Sequence, residues 1–303
     1  MFLHFFMPDR NWKKYNEALV KRGEILLDMD FIDSWPDELA RMNDGKVGKP
    51  FEYPESFLAM LAVIHAYLLP YRQLEGFTRA LTSHVDGLKA PDYTSIAWRV
   101  ARTDVTIDLS LQKEDDIVIA ADASGIKVAN RGEWIRKKWN VRRGFIKMHI
   151  AVDKETREIV AMKVTKEHVH DGKKLVPLVK EARKKVNVNK VIADGAYDSR
   201  RNFRFLADNK IEPVIKVRKN ASLHARGCMP RKLSVIEQKE DFDGWKQKHD
   251  YGYRWIAESA FSAFKRMFGE HVRAVRWKNI VKELMLKASI YNMFISMNPK
   301  WPG

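Results

Sequence analysis

From about residue 115 onward, short β-compatible runs alternate with helical ones, and their order constrains the fold more than any other feature. Ile117–Ala121 is continuously apolar, as expected of a strand covered on both faces. Asp122-Ala123-Ser124-Gly125 reads as a turn, after which Ile126–Val128 resumes a strand. Ile146–Val152 alternates, turns at Asp153–Thr156, and is rejoined by a partner strand over Glu158–Val164. Asp171 is placed to cap a helix containing Leu175, Leu178, Val179 and Ala182. Lys190–Ala193 is a further strand that ends at Asp194-Gly195. Asp198 and Ser199 open a helix through Phe203, Phe205 and Leu206, and Pro213–Ile215 is a last short strand. Residues 216–246 are basic and weakly patterned and read as an irregular insertion. A long helix follows over about 248–268 and another over about 279–294. The order β-β-β-α-β-α-β-α, with meandering strands first, predicts an α/β fold: a mixed sheet with helices on its faces.

The first part of the chain reads as helical. Glu55–Leu69 is an apolar helix introduced by Pro54 and ended by Pro70. Tyr71–Leu81 is a second, with Leu74 and Phe77 facing inward. Gly87 and Pro91 break the chain, and Asp92 or Thr94 then caps a third helix with Ile96, Arg99, Val100 and Arg102. These three could form a helix-turn-helix or a plain bundle. A length of 303 residues suits two domains, and the change of pattern divides them into 1–110, helical, for dimerisation and/or DNA binding, and 111–303, α/β.

Charge is divided along the same line. The net charge is +16. Residues 1–110 carry 13 Lys and Arg against 16 Asp and Glu, whereas residues 111–303 carry 42 against 23. The negative first part favours the bundle or a dimerisation role. The densest basic run, Arg131–Lys147, sets Arg136, Lys137, Lys138, Arg142 and Arg143 among Trp134 and Trp139. Such interleaving suits a nucleic-acid surface, where cations meet phosphates and rings stack on bases; a solvated hairpin is the other reading. The single cysteine, Cys228, excludes an intrachain disulfide and a Cys-based zinc site and fits a reducing compartment. The longest apolar stretch, Ser56–Leu69, is shorter than the roughly 18 residues of a membrane span, and the first ten residues make no convincing signal peptide. The expectation is a soluble cytoplasmic protein with a polyanionic partner and no membrane.

Three carboxylates stand out. Asp122 and Asp194 both follow buried strands, and two acids at adjacent strand ends repel unless a cation lies between them. Hard divalent ions such as Mg²⁺ favour such oxygens. Asp is also common at turns for local hydrogen-bonding reasons. The third lies on the long helix. With Arg254 at 0° and about 100° per residue, Lys265 falls near about 20°, Glu258 near about 40° and Tyr251 near about 60°. This stripe is either a solvated face with an Arg254–Glu258 ion pair, or a third ligand carboxylate with Arg254 and Lys265 gripping phosphates and Tyr251 stacking on a base. Glu167, His168, His170 and Asp171 form a local metal-like cluster, but helix capping by Asp171 is the simpler account. Asp198 reads as a helix cap, and Asp115 and Asp116 as solvated.

Taken together, these residues resemble a bacterial or archaeal DDE-type insertion-sequence transposase of the group marked by Tyr-x2-Arg-x3-Glu-x6-Lys. That signature stands here as Tyr251, Arg254, Glu258 and Lys265. "AADASGIKV" contains Asp122, "VIADGAYDSRRNF" contains Asp194, and "GEWIRKKWNVRRGFIKMHIAVDKETREIV" and "KPFEYPESFLAMLAVIHAYLLPYRQLEGFTRAL" are family-like blocks. The resemblance runs from about Lys49 to Asn292; Arg157 stands where the family often has Gly. It implies a ribonuclease H-like catalytic core after an all-α N-terminal domain. Asp122, Asp194 and Glu258 would be catalytic acids binding two Mg²⁺ or Mn²⁺ ions about 3.5–4 Å apart. Water would free a 3′-hydroxyl at the element end, and that hydroxyl would attack target DNA. Tyr251, Arg254 and Lys265 would hold the terminal nucleotides. The partners implied are double-stranded DNA of terminal inverted repeats and target, and a second copy of the chain, since two ends are cut in concert. The setting implied is the prokaryotic cytoplasm, at the nucleoid when bound to DNA. A metal-dependent nuclease that cuts without joining, and a catalytically silent DNA-binding regulator, are the alternatives; the intact acids argue against the second.

Overall fold

The computed structural model describes residues 12–27, 29–85, 87–103, 105–128, 144–224 and 226–297. Trp134, Arg136, Lys137, Lys138, Trp139, Arg142 and Arg143 lie outside the described residues. Ile107–Ile295 forms one compact unit and the chain before it another.

The first unit contains α1 (Trp12–Glu24), α2 (Phe31–Asn43), α3 (Glu55–Tyr67), α4 (Tyr71–Thr82) and α5 (Tyr93–Val100). Phe31, Phe57, Leu61, Leu74 and Ile96 make its core. α5 starts at Asp92, whose carboxylate accepts from the amides of Thr94 and Ser95, both at 2.9 Å. Glu75 on α4 accepts from the Tyr93 amide at 2.8 Å and ties the two helices. The connection 83–92 is longer than the about three- or four-residue turn of a helix-turn-helix. α1 and α2 went unread in the sequence because their polar residues leave only a thin apolar stripe; α1 buries Ala18 and α2 buries Phe31.

The second unit is an α/β fold, a mixed sheet with helices on both faces. Its strands are β1 (Asp116–Val128), β2 (Phe145–Asp153), β3 (Ile159–Lys166), β4 (Asn187–Ala193), β5 (Glu212–Ile215) and β6 (His271–Val272). They form one sheet in the order β3-β2-β1-β4-β5, with β6 on the far end of β1. β1, β2 and β3 are antiparallel neighbours, while β4 and β5 run parallel to β1. α6 (Leu175–Ala182) and α7 (Arg200–Asp208) cover the face that carries Ile117, Ile119 and Ala121. The opposite face, with Val118, Ile192 and Val214, receives Trp245 and Tyr251, and α10 (Trp255–Phe268) packs against β1 and β2.

Three sequence expectations are corrected here. Asp122–Gly125 is no turn: β1 runs unbroken, because β2 pairs with it continuously from Ile119↔Asp153 to Lys127↔Phe145. Gly125 and Ser124 suggest a turn locally, but the ladder overrides that preference. The insertion at 216–246 is not irregular. It holds α8 (Met229–Glu240) and α9 (Phe242–Lys248), the second capped by Asp241 accepting from the Gly244 amide at 2.9 Å. The long helix expected from 248 is interrupted: Asp250 takes φ 59°, Tyr251–Arg254 is a 3-10 turn, and α10 begins only at Trp255.

The last helix among the described residues, α11 (Trp277–Ser296), meets the start of β3 through one side chain. Its buried Asn292 accepts from the Ile159 amide (2.8 Å) and donates to the carbonyls of Ile159 and Asp108, both at 3.0 Å. Arg157, just before β3, has φ 65°, the left-handed region in which glycine is free of strain.

Candidate active site

The placement of Asp122 and Asp194 follows from strand length. The β1–β4 ladder ends at Ala121↔Ala193. Asp122 and Asp194 are the next residue on each strand, on the face shared with Val118 and Ile192. β1 continues past this point, whereas β4 breaks into the 3-10 turn Gly195–Tyr197. Asp194 starts that turn, accepting from the Ala196 amide at 2.9 Å. Asp122 accepts from the Ala123 amide at 2.8 Å.

Electrostatics join these two acids to α10. Burial pushes the Asp122 carboxyl up to about 6; the Ala123 amide opposes this, the Asp194 charge adds to it, Arg254 opposes it and Glu258 adds to it. Arg254 and Glu258 form an ion pair of 2.5 Å across one helical turn. Burial acts against the Arg254 charge, but the hydrogen bond and charge of Glu258 outweigh it and raise the guanidinium.

Tyr251 differs from its sequence reading. Only 7% of it is exposed, and its ring lies among Ile192, Val214 and Trp245. The reason is the 3-10 turn, which takes Tyr251 off the stripe that a continuous helix would have made. In this position the ring is core and is not presented to a base. Burial pushes its hydroxyl up to about 12, and a side-chain hydrogen bond joins it to Arg254. Lys265 lies on α10, partly buried, seven residues beyond Glu258.

Among the described residues no group of three or more His, Cys, Asp and Glu side chains is gathered closely enough to hold a metal ion. Glu258 is turned to Arg254 instead. The chemistry of the donor set nevertheless suits a hard divalent cation: Asp122 and Asp194 are oxygen donors, and the Asp194 charge raises the cost of charging Asp122.

Two other aspartates have partners far away in sequence. Asp171 caps no helix with its side chain. It accepts from Lys147 Nζ at 2.9 Å, while His170 Nδ1 takes the Gly172 amide at 3.2 Å. Asp198 is not a helix cap either; Ser199 caps α7 by accepting from the Asn202 amide at 3.2 Å. The Asp198 carboxylate is fully buried and is gripped by Arg231 through Nε (2.6 Å) and Nη2 (2.8 Å), with the Arg218 amide adding a third bond at 3.0 Å. Sequence reasoning missed Lys147, Asn202 and Arg231, since nothing local marks the partner of a distant carboxylate.

Residues 113–293 match the family described as Transposase DDE domain, and residues 20–131 match a second family of the same description. Among solved structures, the chain is similar to piggyBac transposase in its cryo-EM synaptic complex with hairpin DNA. Identity is 12% and the TM-score 0.41, covering 96% of this chain and 72% of that one. At that score the likeness carries no detail of the site.

Proposed function

The chain belongs to the DDE-domain transposase family, and from that premise we propose that it is a metal-dependent DNA transposase that cuts at the ends of an insertion sequence and transfers the freed 3′-hydroxyl into target DNA. The observation that carries this reading is the shared electrostatic neighbourhood of Asp122, Asp194, Glu258 and Arg254 at the end of the β1–β4 ladder. Asp122, Asp194 and Glu258 would hold the Mg²⁺ or Mn²⁺ ions. Such ions, when bound, supply a lowered pKa for the attacking oxygen and charge neutralisation at the leaving one. The residues of the chain do the rest. Asp122, half-neutral near pH 6, becomes fully anionic when a cation offsets its neighbours. Arg254 trades Glu258 for a DNA phosphate, which releases the third carboxylate toward the other two. Tyr251 holds the guanidinium of Arg254 from the core side. Lys265 contributes a second cation for the same strand. The positive balance of residues 111–303 favours the approach of the polyanion. A second copy of the chain would serve the second element end.

The test is an assay with purified protein, Mg²⁺ and DNA carrying the terminal inverted repeats that flank the gene. End cleavage followed by a joined strand-transfer product is the expected result. Cleavage without joining would reduce the protein to a nuclease, and binding without cleavage would make it a regulator.

A further inference from the structure

The turn that carries Asp194 is backed by a second turn to which neither charge nor the signature residues point. Between β3 and α6 the chain makes the 3-10 turn Asp171–Lys173, which packs against Gly195–Tyr197. At their contact there is room only for a residue without Cβ. A Cβ on Gly172 would stand 2.7 Å from the backbone oxygen of Ala196, too close for a carbon and an oxygen that share no bond. The backbone of Gly172 is not in the left-handed region, so the constraint there is space alone.

One side chain fastens the two turns. Asn202, with 0% exposure, donates from Nδ2 to the Gly172 carbonyl (2.9 Å) and to the Tyr197 carbonyl (2.8 Å). The rear turn is itself anchored to the sheet. Lys147, opposite Gly125 of β1, donates to Asp171 (2.9 Å) and to the Val169 carbonyl (3.1 Å). A rigid path therefore runs from β2 through Lys147 and Asp171-Gly172 to Ala196. Ala196 meets Gly172 with its carbonyl, and its amide donates to Asp194 Oδ1.

We propose that Gly172 and Asn202 are positioning residues that set the Asp194 carboxylate beside Asp122; the functional part of this rests on reading Asp194 as a metal-binding acid. A Cβ at position 172 displaces Ala196. Its amide then leaves Asp194, whose carboxylate regains rotamers that the bond had excluded. Asn202→Ala acts from the other side, since two buried carbonyls lose their donor and the turns separate.

The experiment uses the full chain carrying Gly172→Ala or Asn202→Ala. It reads hydrogen exchange at the Ala196 amide, Mn²⁺ affinity by calorimetry without DNA, binding of element ends, and the melting temperature. Gly172→Ala should unprotect the Ala196 amide and weaken Mn²⁺ binding by about 10- to 100-fold, with end binding unchanged and the melting temperature lowered by only a few degrees. A protected Ala196 amide together with wild-type Mn²⁺ affinity overturns the proposal. Should Gly172→Ala fail to fold, Asn202→Ala decides by the same readouts, because it adds no atom to the contact. If the wild-type chain binds no Mn²⁺, the reading of Asp194 as a metal acid falls. The positioning role is then decided by exchange alone: loss of protection at Ala196 in the variant sustains it, and equal protection ends it.

Discussion

Replacing Asp122 by Asn should make the metal-free protein more stable while removing the proposed cleavage activity. Asp122 has an ordinary value of 3.8 raised to about 6, chiefly by burial and further by Asp194 and Glu258. A carboxyl raised by folding contributes its full stability below about 3.8, where it is neutral in both states, and loses it as pH climbs through about 6. At about 1.4 kcal/mol per unit, the shift gives a ceiling of about 3 kcal/mol at neutral pH; the partial exposure of Asp122 reduces this to about 1–2 kcal/mol. Asparagine is isosteric, accepts the same Ala123 amide bond, and carries no charge to desolvate. The C-terminal unit of the variant should therefore melt about 2–8 °C above wild type at pH 7.5 in chelator, and the gap should close as pH is lowered toward 4. Adding Mn²⁺ should raise the wild type and leave the variant nearly unmoved, because the cation offsets the same repulsion. Differential scanning calorimetry across pH 4–8, with and without Mn²⁺, measures all of this. A gap that does not change with pH would refute the electrostatic account of Asp122.

Asp194→Ala and Glu258→Ala should each abolish end cleavage while band-shift affinity for element ends stays within about twofold, as expected when groups acting on the reacting centre are removed from an intact binding surface; residual cleavage in either would remove that acid from the site. Tyr251→Phe should cost about 1 kcal/mol, the worth of one hydrogen bond, whereas Tyr251→Ala should cost about 3–5 kcal/mol through the cavity it leaves; urea unfolding distinguishes a core ring from a DNA-stacking one, which would tolerate both. Arg231→Met should cost about 3–5 kcal/mol by stranding the buried Asp198 charge, and it should show the same loss in urea unfolding. Affinity for DNA should fall steeply between 50 and 200 mM salt, by about 10³-fold if six or more phosphates are contacted; a flat salt response would assign the excess positive charge to something other than the DNA backbone.

The readable parts of this chain were those written in local pattern. β-branched runs marked the strands, and Asp122 and Asp194 were conspicuous because each follows one. What escaped were features decided at long range. Ser124-Gly125 carries a turn signal, and only the facing strand Phe145–Asp153 keeps it extended. The stripe of Tyr251, Arg254, Glu258 and Lys265 assumed one continuous helix, but Asp250 turns left-handed and Tyr251 rotates into the core. Asp171 and Asp198 both precede helices and so read as caps. Their partners, Lys147 and Arg231, lie 24 and 33 residues away in the chain, where no local rule could find them. The nearness of Glu258 to Asp122 depends on α10 lying across β1 and β2, which is a fact of packing and not of spacing.

The amide of Asn292 has a consequence for synthesis. β3 is one of the two outermost strands, and an outermost strand with open peptide groups is a template for pairing with other chains. Asn292 occupies both peptide groups of Ile159, but it emerges from the ribosome more than a hundred residues after them. Until then the rim of the nascent sheet is uncapped and adhesive. Protein shortened before α11 should aggregate more readily than the full chain, because the start of β3 then keeps both peptide groups of Ile159 open.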